Sequence, residues 1–225
     1  MPEGNFFHYD QAAVDHLARK DKKLAAAMQA IGPVRREVMP DLFQALMHAI
    51  TGQQISMAAQ RTVWGRLCGL LGEVTPQALL AQPQTALQAL GLSARKVDYM
   101  RGIARQVVDG ELDLPGMAAL EDAEVCRRLA ALRGIGVWTA EMLLLFSLQR
   151  PDILSYDDLA IRRGLRMLYR HKEMPRERFE RYRRRFSPYG SLASLYLWAI
   201  AGGALPELDD PAERKKGRSR PAASL

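Results

Sequence analysis

The stretch from Leu132 to Ile161, LRGIGVWTAEMLLLFSLQRPDILSYDDLAI, limits what this chain can fold into more than any other. Gly134-Ile135-Gly136 interrupts two helical patterns. Before it, Asp122 is placed to cap a helix whose apolar positions are Val125, Leu129 and Leu132. After it, 139–148 is almost wholly apolar, and a helix that is hydrophobic all round belongs in a core. The two glycines allow a tight turn and a close approach to a ligand. Amides at the start of the second helix then face outward, where the helix dipole favours an anion such as phosphate. The stretch closes on Ser155-Tyr156-Asp157-Asp158, a turn that opens another helix. One of its two carboxylates, Asp157 or Asp158, is expected to cap that helix, and the other is free to point into a cleft.

The rest of the chain reads as helices too. Gln11–Ile31 is expected as one amphipathic helix, capped by Asp10 and stopped at Gly32-Pro33. Asp41 caps a helix through Ala49, and a polar loop, Ile50 to Ser56, leads into a long helix that ends at Gly72. Thr75-Pro76 opens a helix expected to run to Leu90, and Ser93 caps one to Val108 on which Lys96 and Arg101 look like surface charges. Beyond Asp158 a helix reaches Tyr169, Pro175 opens a very basic one to Phe186, and Ser191–Ala201 forms the last. No stretch alternates apolar and polar residues as a strand would. The expectation is an all-α fold of nine to ten helices. Its domain is placed at 1–205, followed by a basic, unstructured tail at 206–225.

Composition narrows the function. No apolar run is long enough for a membrane span, and the start lacks a signal-peptide pattern, so a soluble, non-secreted protein is expected. Cys68 and Cys126 are the only cysteines, expected as buried thiols and too few for a four-Cys iron–sulfur cluster. His8, His16, His48 and His171 are scattered, so neither a metal site nor a cofactor is expected. Net charge is +7, but 162–185 alone carries +8 and 211–225 another +4, so the remainder is acidic. A basic block on an acidic body points to a polyanion partner.

The L-x-G-I-G hairpin, Thr139-Ala140 behind it and an Asp some 20 residues on together resemble the helix-hairpin-helix DNA glycosylase superfamily. Trp138-Thr139-Ala140 and the Asp157-Asp158 pair are most similar to its 3-methyladenine DNA glycosylase II branch, in a compact form without that branch's N-terminal β lobe. The likeness runs from about Leu42 to Gly203. It implies two helical lobes, the N- and C-terminal helices sharing one, with a DNA-binding cleft between them. It also implies base-excision repair. On that resemblance, a monomer in the bacterial nucleoid or the nucleus is expected to bind double-stranded DNA with damaged bases, flip out an alkylated base such as 3-methyladenine or 7-methylguanine, and hydrolyse its N-glycosidic bond.

Residue by residue, the resemblance places the catalytic carboxylate at Asp158 and the base pocket at Trp138, Met142 and Trp198. Relatives often carry a Tyr where Met142 stands, so one aromatic wall is missing here. DNA contacts fall on Gln53, Gln54, Gly134, Ile135, Gly136, Thr139 and, within the basic block, Arg163. Gln54 takes the wedge position that fills the space of the extruded base, where some relatives have Leu. Bifunctional relatives place a Schiff-base Lys at the position of Trp138, and this chain has no Lys between Lys96 and Lys172, which implies a monofunctional hydrolase. The competing reading is a non-catalytic module that binds DNA structure. Such modules usually pair their hairpins in tandem, whereas this chain has one.

Overall fold

A computed structural model describes residues 5–213. Among the described residues the chain is all-helical, with α1 (Gln11–Lys20), α2 (Lys22–Ile31), α3 (Leu42–Gly52), α4 (Met57–Leu71), α5 (Pro76–Ala81), α6 (Gln84–Ala89), α7 (Ala94–Val108), α8 (Asp122–Ala130), α9 (Val137–Phe146), α10 (Leu159–Tyr169), α11 (Arg176–Phe186) and α12 (Gly190–Ala201). A single antiparallel bridge, Phe6 to Glu37, is their only extended pairing. No helix among them is long and apolar enough to cross a membrane. The helices form two compact units, one from residues up to His8 and Arg35–Arg150, the other from Tyr9–Val34 and Pro151 onward.

The helix count exceeds the expectation because two expected helices are broken. Asp21 divides the first. Its backbone N–H ends α1 on the Leu17 carbonyl, and its carboxylate accepts from the amides of Lys23 and Leu24 to start α2. Arg185 reaches the same buried carboxylate at 2.7 Å. Pro83 divides the second, since Gln82-Pro83 cannot continue α5 and α6 starts afresh behind it. The guanidinium of Arg101, expected on the surface, donates to the Gln82 carbonyl at 2.7 Å and so satisfies the broken end.

In the first unit, α3 packs against α4, α7 and α9, and α8 pairs with α9 across the glycine hairpin. Leu46, Met47, Ile50, Leu67, Met100, Ile103, Leu129 and Leu145 are fully or nearly fully buried there. Glu121, not Asp122, is the N-cap residue of α8; Asp122 lies just inside the helix and pairs with Arg150 at 3.3 Å. Arg150 also donates to the carbonyls of Ala118 and Leu120, 2.8 Å each, and so fastens the entry to the hairpin motif. Cys68 and Cys126 are free and only partly buried.

In the second unit, α10 lies against α12 at Gly164. A Cβ built on Gly164 would stand 2.3 Å from the Leu197 carbonyl oxygen, so only glycine permits this approach. Leu17, Leu24, Ile161, Leu165, Phe179, Phe186, Leu197 and Ile200 form the core around that contact. Residues 206–213 of the expected tail are described. Leu205 and Asp210 are buried, and Arg166 donates to both carboxylate oxygens of Asp210, holding its carboxyl below the usual carboxylate range. Residues 214–225 of that expected tail, and the start at 1–4, lie outside the described residues.

Candidate active site and nucleic-acid interface

The hairpin turns at Gly134, whose φ of +88° lies in the left-handed region. A Cβ there would also meet the Tyr99 ring at 2.3 Å. Gly136 differs. Its φ is −95°, it precedes α9 as the N-cap residue, and a Cβ on it would stand in open space. Its backbone therefore does not demand glycine; what glycine supplies is room beside the first amides of α9. Ile135 is buried and anchors the turn, and Thr139 is partly exposed behind it.

The apolar helix after the hairpin is not buried along its whole length. Ala140, Leu143, Leu144 and Leu145 are buried, but Val137 and Trp138 in its first turn are 51% and 47% exposed. Trp138, Met142 and Phe146, spaced four residues apart, line one side of an open cavity of about 630 Å³. Ala45, His48, Ala49 and Gly52 of α3 line another side, with Gln53, Gln54 and Gln60. The aromatic that Met142 lacks is thus supplied one turn later by Phe146. The stride from Trp138 to Met142, continued once, was the sequence signal for it.

His48 and Gln60 are polar lining groups that sequence reasoning passed over. Gln60 Nε2 donates to the His48 carbonyl at 3.0 Å, and the His48 ring meets Trp64 edge-on at 5.0 Å. The Gln60 amide lies where a Cβ of Gly52 would be, 2.4 Å away, so this packing depends on that glycine. Burial pushes the His48 imidazole below its usual pKa, which favours its neutral form in the wall beside Trp138.

Asp158 lies in the second unit and has two partners on one oxygen. Its Oδ1 accepts from the Ile161 amide at 2.8 Å, as the N-cap of α10, and from the Trp198 indole N–H at 3.0 Å. The side chain is buried, while Asp157 is exposed. The division of labour expected for the pair is therefore corrected: Asp158 itself is the cap. Trp198 is half-buried on α12, and the structure brings it to the carboxylate that the sequence singled out.

The basic block is less open than its composition implies. Arg163 lies 3.2 Å from Glu213 and 3.8 Å from Asp210, so its charge is met within the protein. Arg162 and Arg176 stack over Tyr156, and Arg183 donates to the Leu154 carbonyl. Arg181 and Arg184 of α11 are exposed. No cluster of His, Cys, Asp and Glu among the described residues has the arrangement of a metal site.

The model of the HhH-GPD superfamily base excision DNA repair protein family matches residues 47–188. DNA-3-methyladenine glycosylase 1 of Schizosaccharomyces pombe is 30% identical over 209 residues, covering 89% of this chain and 91% of its own length. A solved DNA-3-methyladenine glycosidase of Bacillus halodurans superposes with a TM-score of 0.81 at 34% identity, over 90% of this chain and 95% of its own. A 3-methyladenine DNA glycosylase of Schizosaccharomyces pombe, solved in complex with abasic DNA, does so with a TM-score of 0.73 at 30% identity, over 84% and 95%.

Proposed function

We infer that this chain, which belongs to the HhH-GPD superfamily of base excision DNA repair proteins, is a monofunctional DNA glycosylase that hydrolyses the N-glycosidic bond of alkylated purines in duplex DNA. One observation carries the reading: a buried carboxylate, Asp158, is held rigid by a helix start and an indole N–H. N-alkylation leaves a purine cationic, so the base departs with the bonding pair as a neutral molecule. The sugar then carries oxocarbenium charge at C1′. A fixed, desolvated carboxylate stabilises that charge and orients the water that adds to C1′. The base must first leave the stack, at a cost of a few kcal/mol that is smaller for a damaged, weakly stacked base.

The cavity beside Trp138 suits the alkylated base while it is still bonded and cationic. A cationic base over an indole gains about 0.5–2 kcal/mol. The His48 wall, which burial shifts toward its neutral form, opposes that cation less. Phosphate binding falls to the amides that follow Gly134 and Gly136, with Gln54 as the wedge. Arg163 serves less well than the sequence implied, because acidic partners already hold it. The enzyme is read as a monomer working where chromosomal DNA is, in the nucleoid or nucleus.

The test is release of 3-methyladenine or 7-methylguanine from methylated duplex DNA, leaving an alkali-labile abasic site. Borohydride is expected to trap no covalent enzyme–DNA adduct, because Trp138 stands where an amine would be needed. A trapped adduct would overturn the monofunctional reading. Binding without release of base from any alkylated duplex would favour the structure-binding module instead. The hairpin has its own test. Gly136→Asp is expected to leave the fold intact, since the new side chain enters open space. It should weaken binding to damaged and undamaged duplexes alike, by placing bulk and negative charge where a phosphate sits. Selective loss for damaged DNA in a titration at fixed salt would refute the clamp.

A further inference from the structure

Gln53 ends α3, and its side chain crosses to a segment 81 residues away: Nε2 donates to the Gly134 carbonyl at 2.7 Å. The hairpin is thereby tied to the loop that follows α3. A second tie runs through α7. Lys96 Nζ donates to the Thr51 carbonyl in the last turn of α3 at 2.9 Å, and one turn further along, Tyr99 packs directly beneath Gly134. The end of α3, α7 and the hairpin thus form one bracket. Neither Gln53 nor Lys96 is a surface group in the plain sense, since each spends a donor on a backbone carbonyl.

Apart from the bracket, the loop tip at Gln54 is closed by a long turn bond, from the Ile55 N–H to the Gly52 carbonyl at 3.5 Å. Gln54 adopts a φ of +56°, an uncommon conformation for a residue other than glycine, and its side chain is exposed. Behind it, Ile55 and Met57 are 40% and 81% exposed. A loop with an exposed, left-handed tip and exposed apolar neighbours lacks packing to fix its direction. The Gln53 bond sits immediately before the tip and supplies that direction.

We propose that Gln53 is a positioning residue that makes the Gln54 loop and the hairpin one rigid part, so that a phosphate seated on the hairpin sets the register at which Gln54 enters the duplex. The inference rests on the glycosylase reading and deepens it. It moves Gln53 from the direct DNA contact implied by the sequence to a role exerted through Gln54. A helix-capping role alone would make Gln53 matter for stability, with no special relation to Gln54. A positioning role makes the two residues share one effect.

The experiment is a double-mutant cycle with Gln53→Met, which keeps length and removes the donor, and Gln54→Ala. Flipping is followed by a fluorescent base beside a stably paired lesion. Affinity for a duplex carrying an abasic-site analogue, which needs no flipping, is measured in parallel. Gln53→Met is expected to lower the flipping constant about tenfold, the scale of one lost hydrogen bond. The double variant should be no worse than Gln54→Ala, and abasic-duplex affinity should be nearly unchanged. Gln53→Ala serves as a second variant with the same expectation, and thermal melting shows that each is folded. Normal flipping by Gln53→Met, losses that add in the double variant, or equal losses on both duplexes would each overturn the proposal. If the wild-type protein itself neither flips nor excises the lesion, the glycosylase reading fails and takes this one with it, a result visible before any variant is made.

Discussion

Asp158→Asn is expected to abolish most excision while leaving the fold almost untouched. The asparagine Oδ1 can still accept from the Ile161 amide and from the Trp198 indole, so both bonds seen at this position survive. Asparagine also caps a helix about as well as aspartate. What disappears is the negative charge facing a developing cation. A preorganised charge of that kind is worth roughly 3 kcal/mol or more, which puts the fall in rate at about a hundred-fold or greater. Single-turnover excision of 3-methyladenine or 7-methylguanine measures it directly, and melting provides the control. Affinity for an uncharged abasic analogue should persist. Asp158→Ala makes the instructive contrast, since it also removes the cap and the Trp198 acceptor and should lose about 1 kcal/mol of stability or more. Asp157 is exposed and caps nothing, so Asp157→Asn should change neither rate nor melting appreciably. A dead Asp157→Asn beside an active Asp158→Asn would shift the catalytic assignment by one residue.

Gly164→Ala is expected to be the most damaging single-methyl change in the second unit. In an exposed helix interior, replacing glycine by alanine stabilises by up to about 1 kcal/mol. Here the added methyl would stand 2.3 Å from the Leu197 carbonyl oxygen and 3.0 Å from its carbon, so α10 and α12 must separate. Overpacking costs about 1–3 kcal/mol, and a backbone obstacle that cannot rotate aside belongs at the upper end. The cost exceeds the helix gain, and at this chain length melting should fall by roughly 5–10 °C. Gly102→Ala, on the exposed face of α7 with nothing within 4 Å of the new methyl, should do the reverse and raise it slightly. Equal melting temperatures for the two variants would mean that the α10–α12 contact is looser than its geometry implies.

These two sites show which parts of the protein could be read in advance. Most caps governed by neighbours along the chain were legible, while the breaks at Asp21 and Pro83 were not. Asp10, Asp41, Thr75 and Ser93 each accept the amide three residues on, and the all-helical class follows from such local patterns. Trp138 and Asp158 could be named as candidates because the hairpin motif carries a family resemblance that places them. The surroundings of those residues could not. That Asp158 is its own helix's cap, that Trp198 lies on it, and that Phe146 replaces the aromatic absent at Met142 are facts about which helices meet. The charged residues are clearer still. In sequence, Lys96 and Arg101 read as solvated groups on a helix face, and Arg163 as a DNA contact in a basic block. In the fold they hold the carbonyls of Thr51 and Gln82 and the carboxylates of Asp210 and Glu213. A long cationic side chain can reach several partners from one backbone position, so its role is decided by the tertiary neighbours that need a donor, and the local pattern carries no record of them.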